Sequence, residues 1–204
     1  MARYADAEDL RAQVDVSRTV HDQVLTGLLE AASRAVDGVC NRPDGFLALT
    51  TATERTYAGG GLPYLNIGEC VEITAVADPD DEEIDDGDYY AYHGSYEFPV
   101  FSAPYTAIML ASDETLETYG TFTASRTPNY TVTARWGYAD EIPALVKQAT
   151  ITIAARWWMR GRSAWSDAVM PEGGGATLVY RQVVDPDVVL MLSNGRLIRA
   201  VGSV

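Results

Sequence analysis

The sequence predicts an α+β fold in which a helical frame carries a β-rich insertion. Two long segments with helical periodicity, residues 19–41 and 143–162, flank a region of alternating apolar residues. That region, residues 46–136, holds five runs rich in β-branched and aromatic residues, separated by Gly, Pro and Asp turns. A chain of 204 residues with 47% hydrophobic residues is long enough for one real core. We therefore expect one domain over residues 1–204, with residues 46–136 inserted in it.

The first long helix is expected over residues 19–41, after a weaker helical pattern at residues 6–14. Thr19 followed three residues later by Asp22 resembles a capping box. Apolar residues with helical spacing form the expected core-facing stripe: Val20, Val24, Leu28, Ala31, Ala35 and Val39, widened by Leu25, Ala32 and Val36. Polar residues, including Ser33 and Asp37, fall on the opposite side. Pro43 and the Asp44-Gly45 turn end this helix.

Five strands are expected in the insertion, at residues 46–57, 71–77, 89–92, 106–110 and 130–136. Gly59-Gly60-Gly61 is predicted to be a plain loop, because no Gly-Lys-Ser/Thr follows it as a phosphate-binding loop requires. In the last strand Tyr130, Val132, Ala134 and Trp136 alternate with polar or smaller residues.

The densest charge run, residues 78–88, has eight carboxylates and no basic residue. Its spacing fails the calcium-loop pattern, since Ile84 stands where a ligand is required. We interpret the run as a solvated hairpin loop whose exposed acids are Asp80, Asp81, Glu82, Glu83, Asp85 and Asp86.

A second long helix is predicted to begin at Pro143, because proline suits the first helical position. One apolar stripe of this helix consists of Ile142, Leu145, Val146, Ala149, Ile153 and Trp157. The opposite side is apolar again, with Ala144, Ile151, Ala155 and Trp158. The helix is therefore either wrapped by its own domain or in contact with a neighbouring subunit through the Ile151/Trp158 side.

The C-terminal part, residues 171–204, is predicted to be an extended arm. It starts with a Gly-rich stretch and a short strand at residues 177–184. Asp185 and Pro186 are predicted to be the N-cap and first-turn residue of a short helix that ends at Gly195. The last residues alternate basic and apolar, and either add a strand to a partner or pack on their own domain.

Charge and composition exclude several classes of protein. The net charge is −14, with 29 acidic and 15 basic residues, so the chain is not a general nucleic-acid binder. An acidic channel lining would let DNA slide without sticking, although acidity alone also serves solubility. The longest apolar run is too short for a signal peptide or a membrane span. Cys40 and Cys70 are expected to be buried free thiols, with a structural disulfide between them as the alternative.

No catalytic, cofactor or metal motif is present in the sequence. His21 and His93 have no motif partner, and the chain lacks His-Glu-x-x-His, Gly-x-Ser-x-Gly, Cys-x-x-Cys and a dinucleotide fingerprint. We therefore expect no catalytic, cofactor-binding or metal residues. One alternative is a β-rich carbohydrate-binding or hydrolytic module that uses the acidic loops and an aromatic platform of Tyr89, Tyr90, Tyr92, Tyr96 and Phe98.

The order strand, Gly137-Tyr138 turn, Pro143-started helix and Arg156-Trp157-Trp158-Met159-Arg160-Gly161-Arg162 end resembles tailed-bacteriophage head-tail connector (adaptor) proteins. The first long helix ending in Cys40-Asn41-Arg42 and the helix after Asp185 are similar as well, whereas residues 59–126 are longer than such proteins carry. The resemblance implies a non-enzymatic virion protein, assembled in the host cytoplasm, that forms a ring of roughly a dozen copies under the portal. The ring would extend the DNA channel and receive the next neck or tail-completion protein. Another neck-ring protein fits equally well.

The resemblance also implies where contacts lie. It assigns packing and ring contacts to the end of the second long helix, namely Arg156, Trp157, Trp158, Arg160 and Arg162. The other expected subunit or portal contacts are Ile151 on the second apolar side of that helix, Trp165 after its end, and Arg196 and Arg199 in the tail. The acidic loop, Asp80 to Asp86, is expected to face the channel or the next ring. No membrane contact and no specific DNA binding are expected.

Overall fold

The computed structural model describes residues 3–16, 19–113, 118–162, 168–169, 178–179 and 185–199. It contains helices and an antiparallel sheet, so the α+β class is confirmed. The chain divides into two units, each described separately below. The helical unit comprises Met1–Pro43 and Ile142–Ser203, and the sheet unit comprises Asp44–Glu141.

Within its described residues, the helical unit contains four α-helices. They are α1 (Ala7–Val14), α2 (Asp22–Cys40), which follows a 3₁₀ turn at Thr19–His21, α3 (Ala144–Arg162) and α4 (Pro186–Asn194). Helix α3 packs against the other three helices. The buried side chains between them include Leu10, Leu25, Leu29, Val36, Val146, Ile153, Leu192 and Leu197. This unit therefore has its own apolar core.

The sheet unit holds strands β1 (Thr53–Tyr57), β2 (Tyr64–Ala77), β3 (Tyr89–Ser95), β4 (Phe98–Val100), β5 (Tyr105–Leu110), β6 (Ser112–Asp113), β7 (Thr118–Tyr119) and β8 (Tyr130–Trp136). Six of them form one antiparallel sheet in the order β1-β8-β2-β5-β3-β4. Strands β6 and β7 pair with each other. In the helical unit, β9 (Ala168–Val169) and β10 (Leu178–Val179) form another short pair.

Strand β8 has the alternation that its sequence predicts. Tyr130, Val132, Ala134 and Trp136 are buried and join Leu65, Ile67, Cys70, Val76, Tyr89, Ile108 and Phe122 in one core cluster. The intervening residues of β8 are half-buried. Each strand side that enters this core is apolar, which fixes the register of the sheet.

The face of α2 that packs inward differs from the expected one. Leu25, Leu29, Ala32, Val36 and Cys40 are buried as core residues. The expected stripe is wrong at Val20 and Val24, which are 74% and 55% exposed, and at Ala31, which is exposed. The predicted polar side supplies two buried residues instead, Ser33 and Asp37.

A hydrogen-bond network explains why these two polar residues lie inside. The Tyr4 hydroxyl donates to Asp37 Oδ1 (2.6 Å), and the Tyr4 backbone N–H donates to Ser33 Oγ (3.2 Å). Ser33 Oγ in turn donates to Leu29 O (2.7 Å). Buried polar groups are tolerated when they are bonded in this way, so helix α2 turns Ser33 and Asp37, rather than Val24, toward the core.

The short helix α4 begins and ends where its sequence predicts. Asp185 is the N-cap, and its Oδ1 accepts from the Asp187 backbone N–H (3.0 Å), while Pro186 occupies the first turn. Gly195 follows the last helical residue. Helix α3 begins at Ala144, one residue after the expected start, and Pro143 O accepts its first bond, from Lys147 N–H (3.0 Å).

Residues 196–199 pack on their own helical unit. Leu197 is buried, and its carbonyl accepts from Arg42 Nε (3.0 Å). The Arg199 backbone N–H donates to Cys40 O (3.0 Å). Of the two outcomes expected for the tail, packing therefore holds for this part, and most of the predicted arm over 171–204 lies outside the described residues.

The loop over residues 78–88 joins β2 to β3. It is wrong to describe it as a simple hairpin, because β5 lies between β2 and β3 in the sheet. Asp78 Oδ1 accepts from the backbone N–H groups of Asp80 (2.8 Å) and Glu82 (3.0 Å), which closes a local turn. Ile84 N–H donates to Val76 O (2.8 Å), and its side chain packs against the core cluster. Hydrogen bonds therefore hold the loop at two places, the turn that follows Asp78 and the backbone of Ile84.

Candidate interaction surfaces

The expected contact residues on α3 divide by burial. Ile151 is 7% exposed in the helical unit, so it offers little surface to a neighbouring subunit. Arg156, Trp157, Trp158 and Arg160 are half-buried, and Arg162 is exposed beside exposed Met159. Trp165 lies outside the described residues. The end of α3, rather than its middle, is therefore the part open to contact.

Arg156 ties the end of α3 to α4. Its Nη1 donates to Asp185 Oδ2 (2.9 Å), so the N-cap of α4 is also the acceptor of an ion pair. The ring of Trp158 lies 5.3 Å from that of His21, centroid to centroid. Both contacts join elements of the helical unit, which means that these two side chains serve its own packing.

Asp185 is expected to contribute measurably to the stability of the helical unit. Replacing Asp185 by alanine removes the cap of α4 and leaves Arg156 without this carboxylate, so we expect a loss of about 1–2 kcal/mol. Urea denaturation measures the loss. Asp185→Asn is the matched control, since asparagine caps as well as aspartate but cannot form the ion pair. An alanine variant as stable as the wild type would contradict this role.

Asp37 has a raised pKa because burial disfavours its charged form. The hydrogen bond from Tyr4 and the charge of Arg34 oppose the shift only in part. Arg34 Nη1 lies 2.7 Å from Asp37 Oδ2. With Asn41, Arg42 and Pro43, these two residues line an open cavity of about 320 Å³. The carboxyl therefore binds a proton more tightly in the folded chain than in the unfolded chain.

The raised pKa of Asp37 predicts a pH dependence of stability. The folded state holds this proton more tightly than the unfolded chain, so the contribution is full below the ordinary value of 3.8 and is lost as pH rises through the folded pKa. We expect the stability of wild type relative to Asp37→Asn to fall as pH rises between about 3 and 7. Urea midpoints of both proteins across this range measure it, and a difference that does not change with pH would contradict it.

The outer face of α2, on the side away from the core, is apolar and bears small residues. We call it the helix patch and define it by Val20, in the 3₁₀ turn that precedes α2, and by Val24, Gly27, Ala31 and Gly38 of α2, which lie within about 60° on a helical wheel. Each is exposed. A Cβ added at Gly27 or Gly38 would meet nothing within 4 Å. The sequence pattern assigned Val20, Val24 and Ala31 of this surface to the core. Two glycines in the same helix were the available signal that this side is not ordinary core.

A second exposed apolar surface lies at one edge of the sheet. We call it the edge patch and define it by Tyr90, Phe98, Val100 and Phe101, which are 52%, 77%, 48% and 59% exposed. The rings of Tyr90 and Phe101 are in edge contact, with centroids 6.1 Å apart. The proline in Phe98-Pro99-Val100 was the available sequence signal for an edge strand.

The six acidic residues expected at the channel are all exposed. Asp80, Asp81, Glu82, Glu83, Asp85 and Asp86 lie on the loop between β2 and β3. Asp86 also accepts a hydrogen bond from the Tyr89 hydroxyl (3.1 Å). In the part of the chain that the structure describes, no group of three or more His, Cys, Asp or Glu could hold a metal ion.

Charge is divided unevenly between the two units. The sheet unit has 18 acidic and 3 basic residues, a net charge of −15, whereas the helical unit has 11 acidic and 12 basic residues, a net charge of +1. Sequence reasoning treated the net charge of −14 as a property of the whole chain, although counting by segment would have located it.

The tyrosines of β3 do not form a common platform. Tyr89 and Tyr92 are buried, Tyr96 lies against Tyr64 with centroids 5.2 Å apart, and Tyr90 contacts Phe101. His93 Nδ1 lies 2.8 Å from Ser102 O. These aromatic residues are divided between core and surface, which is the arrangement expected of ordinary sheet residues.

Cys40 and Cys70 are free and buried, as predicted. Burial raises the pKa of Cys40 to about 11 and that of Cys70 to about 12. Among the described helices, none is both long and apolar enough to cross a membrane.

Comparison with known proteins gives a likeness to a solved structure. No family model matches the sequence, and no curated protein matches it either. Among solved structures, a chain from the neck of an empty GTA particle, computed with C6 symmetry, has a TM-score of 0.50 and 14% sequence identity. The match covers 96% of this chain and 91% of that chain. At this identity the likeness establishes a similar fold.

Proposed function

We propose that the protein is a structural component of the neck that joins head to tail in a phage-like particle. The observation that carries the proposal is the match of 96% of the chain to a protein of the neck of a GTA (gene transfer agent) particle. The match covers both units. It therefore includes residues 59–126 of the sheet unit, which the sequence resemblance to connector proteins does not cover. The role we propose is one of assembly rather than catalysis.

Within the neck, the protein is a subunit of a closed ring beneath the portal. The C6 symmetry under which the similar neck was computed supports a cyclic assembly. A cyclic assembly in which each copy contacts the next in the same way needs two different contact surfaces on every subunit. The helix patch and the edge patch are two such exposed apolar surfaces.

The charge of the sheet unit suits a ring through which DNA passes. A net charge of −15 repels phosphate, so DNA would slide past without binding. We place Asp80 to Asp86 toward the channel or the next ring. We place the end of α3, with Trp157, Arg160 and Arg162, and the tail, with Arg196 and Arg199, toward the portal or a neighbouring subunit.

Binding to the portal tests the proposal. Purified protein is mixed with portal assemblies from the same source, and the complex is sized by sedimentation velocity. The proposal predicts a saturable complex with a fixed number of copies per portal. Free protein and free portal that sediment independently at every concentration would contradict it. Soluble glycans are the control ligand, since a carbohydrate-binding module would bind them in place of the portal.

A further inference from the structure

We propose that the edge patch of one copy contacts the helix patch of the next copy in the ring. The inference rests on the proposed function, because it names the two surfaces through which that ring closes. It assigns the contact to Phe98 and its neighbours on one subunit and to the outer face of α2 on the other.

The edge patch is suited to a contact made by side chains. Strand β4 is the last strand of the sheet, and its central residue, Pro99, pairs with Gly94 of β3. Proline has no backbone N–H, so the middle of this edge strand cannot donate to an added strand. Extension of the sheet by a partner strand is therefore disfavoured at this edge. Phe98 and Phe101, which are both more than half exposed, are the groups that a partner would bury.

The helix patch is suited to receive large side chains. Gly27 is an interior residue of α2, where glycine costs about 1 kcal/mol relative to alanine, and Gly38 lies in the last turn of the helix. Their surroundings in the helical unit give no packing reason for glycine, because an added Cβ would meet nothing within 4 Å. Together with Ala31 they leave a shallow surface beside exposed Val20 and Val24, on which aromatic rings can lie close to the helix.

Charge decides which surface the edge patch meets. A contact between two edge patches would bring together two sheet units of net charge −15 each. The helical unit has a net charge of +1, so its apolar face is free of this repulsion. Beside the helix patch, Glu30 and Arg34 lie on the same side of α2, and Arg34 also pairs with Asp37. Of the two exposed apolar surfaces, the α2 face of a second copy is therefore the occupant that charge favours for the edge patch.

Cysteine cross-linking tests the contact. The variants are Val24→Cys and Phe98→Cys, at exposed positions where the change leaves each core intact. A short bismaleimide is added to each variant alone, to their mixture and to the double variant, with and without portal assemblies. The natural cysteines give little background, since both are buried with raised pKa values and remain protonated at neutral pH. Leu190→Cys, at an exposed residue of α4, replaces Val24→Cys in the control mixture.

The expected products distinguish this contact from any other. The mixture of single variants gives a cross-linked dimer and nothing larger, while the double variant gives a ladder that ends at the size of the ring. Single variants alone and the Leu190→Cys control mixture give little product. A mixture without dimer, or dimer formed equally by one variant alone, would overturn the inference. If the variants form normal complexes with the portal but give no Val24–Phe98 product, the inference is overturned and the proposed function stands. If the wild type does not bind the portal at all, the result counts against the proposed function.

Discussion

Replacement of Trp136 by alanine is expected to destabilise the sheet unit by about 3–5 kcal/mol. Trp136 is 1% exposed at the end of β8, and its indole Nε1 donates to Thr53 O (2.7 Å). The Arg55 guanidinium lies 4.6 Å from its ring centroid, and the ring of Tyr57 lies 6.0 Å away. Alanine removes the buried indole ring from the core, together with its hydrogen bond to Thr53 O and the ring face that Arg55 contacts. A loss of this size is a large fraction of the stability of a typical domain.

Urea denaturation followed by circular dichroism measures this loss. Trp136→Phe is the matched control, because it keeps most of the buried aromatic surface and loses the hydrogen bond to Thr53, so a smaller loss is expected. If the alanine variant unfolds at the same urea concentration as the wild type, then Trp136 does not hold β8 to β1 as the structure indicates.

The second large effect is expected at Gly137, which follows Trp136. Its φ is +140°, a conformation that residues with a side chain rarely adopt. The chain at Leu47 and Ala48 crosses directly over it, and an added Cβ would lie 2.7 Å from Ala48 N and 2.9 Å from Leu47 O. These are backbone atoms and cannot move aside as a side chain can. We therefore expect Gly137→Ala to cost about 3 kcal/mol or more.

Gly87→Ala is the control for this substitution. Gly87 lies in the exposed loop over residues 78–88, where a Cβ would meet nothing within 4 Å, and its φ is not in the left-handed region. We expect this variant to be as stable as the wild type or slightly more stable, because alanine restricts the unfolded chain. Equal midpoints for Gly137→Ala and the wild type in urea would show that residues 47–48 do not cross Gly137 so closely.

The sequence was sufficient where structure depends on neighbouring residues. The cap of α4 could be predicted because Asp185, Pro186 and Gly195 act within one or two turns of each other. The alternation of β8 could be predicted because its inward residues are large and its period is two. In both places the local signal and the fold agree.

The inward face of α2 could not be predicted from its own residues. Hydrophobic spacing selected Val20 and Val24, yet the core takes Ser33 and Asp37, because Tyr4 supplies hydrogen bonds from 29 and 33 residues away. The same error concealed the helix patch, since a valine assigned to the core is not considered as a contact. The hydrogen bonds from Tyr4 join residues that are far apart in the sequence, so hydrophobic periodicity cannot predict them.

The burial of the α3 residues expected to make contacts could likewise be predicted only in part. Apolar residues on two sides of a helix indicate two partners but do not say whether those partners belong to the same chain. In the structure Ile151 is buried within the helical unit, and Arg156 is bonded to Asp185. The exposed surfaces at α2 and β4 emerge only when the burial of each residue is known.

Electron microscopy of the purified protein, alone and mixed with portal assemblies from its source, tests the central claim most directly. If the protein is a subunit of a neck ring, averaged side views of the mixture show an added ring on the portal, coaxial with its channel, whether or not free rings form. Protein that stays monomeric alone and leaves the portal images unchanged would contradict the account.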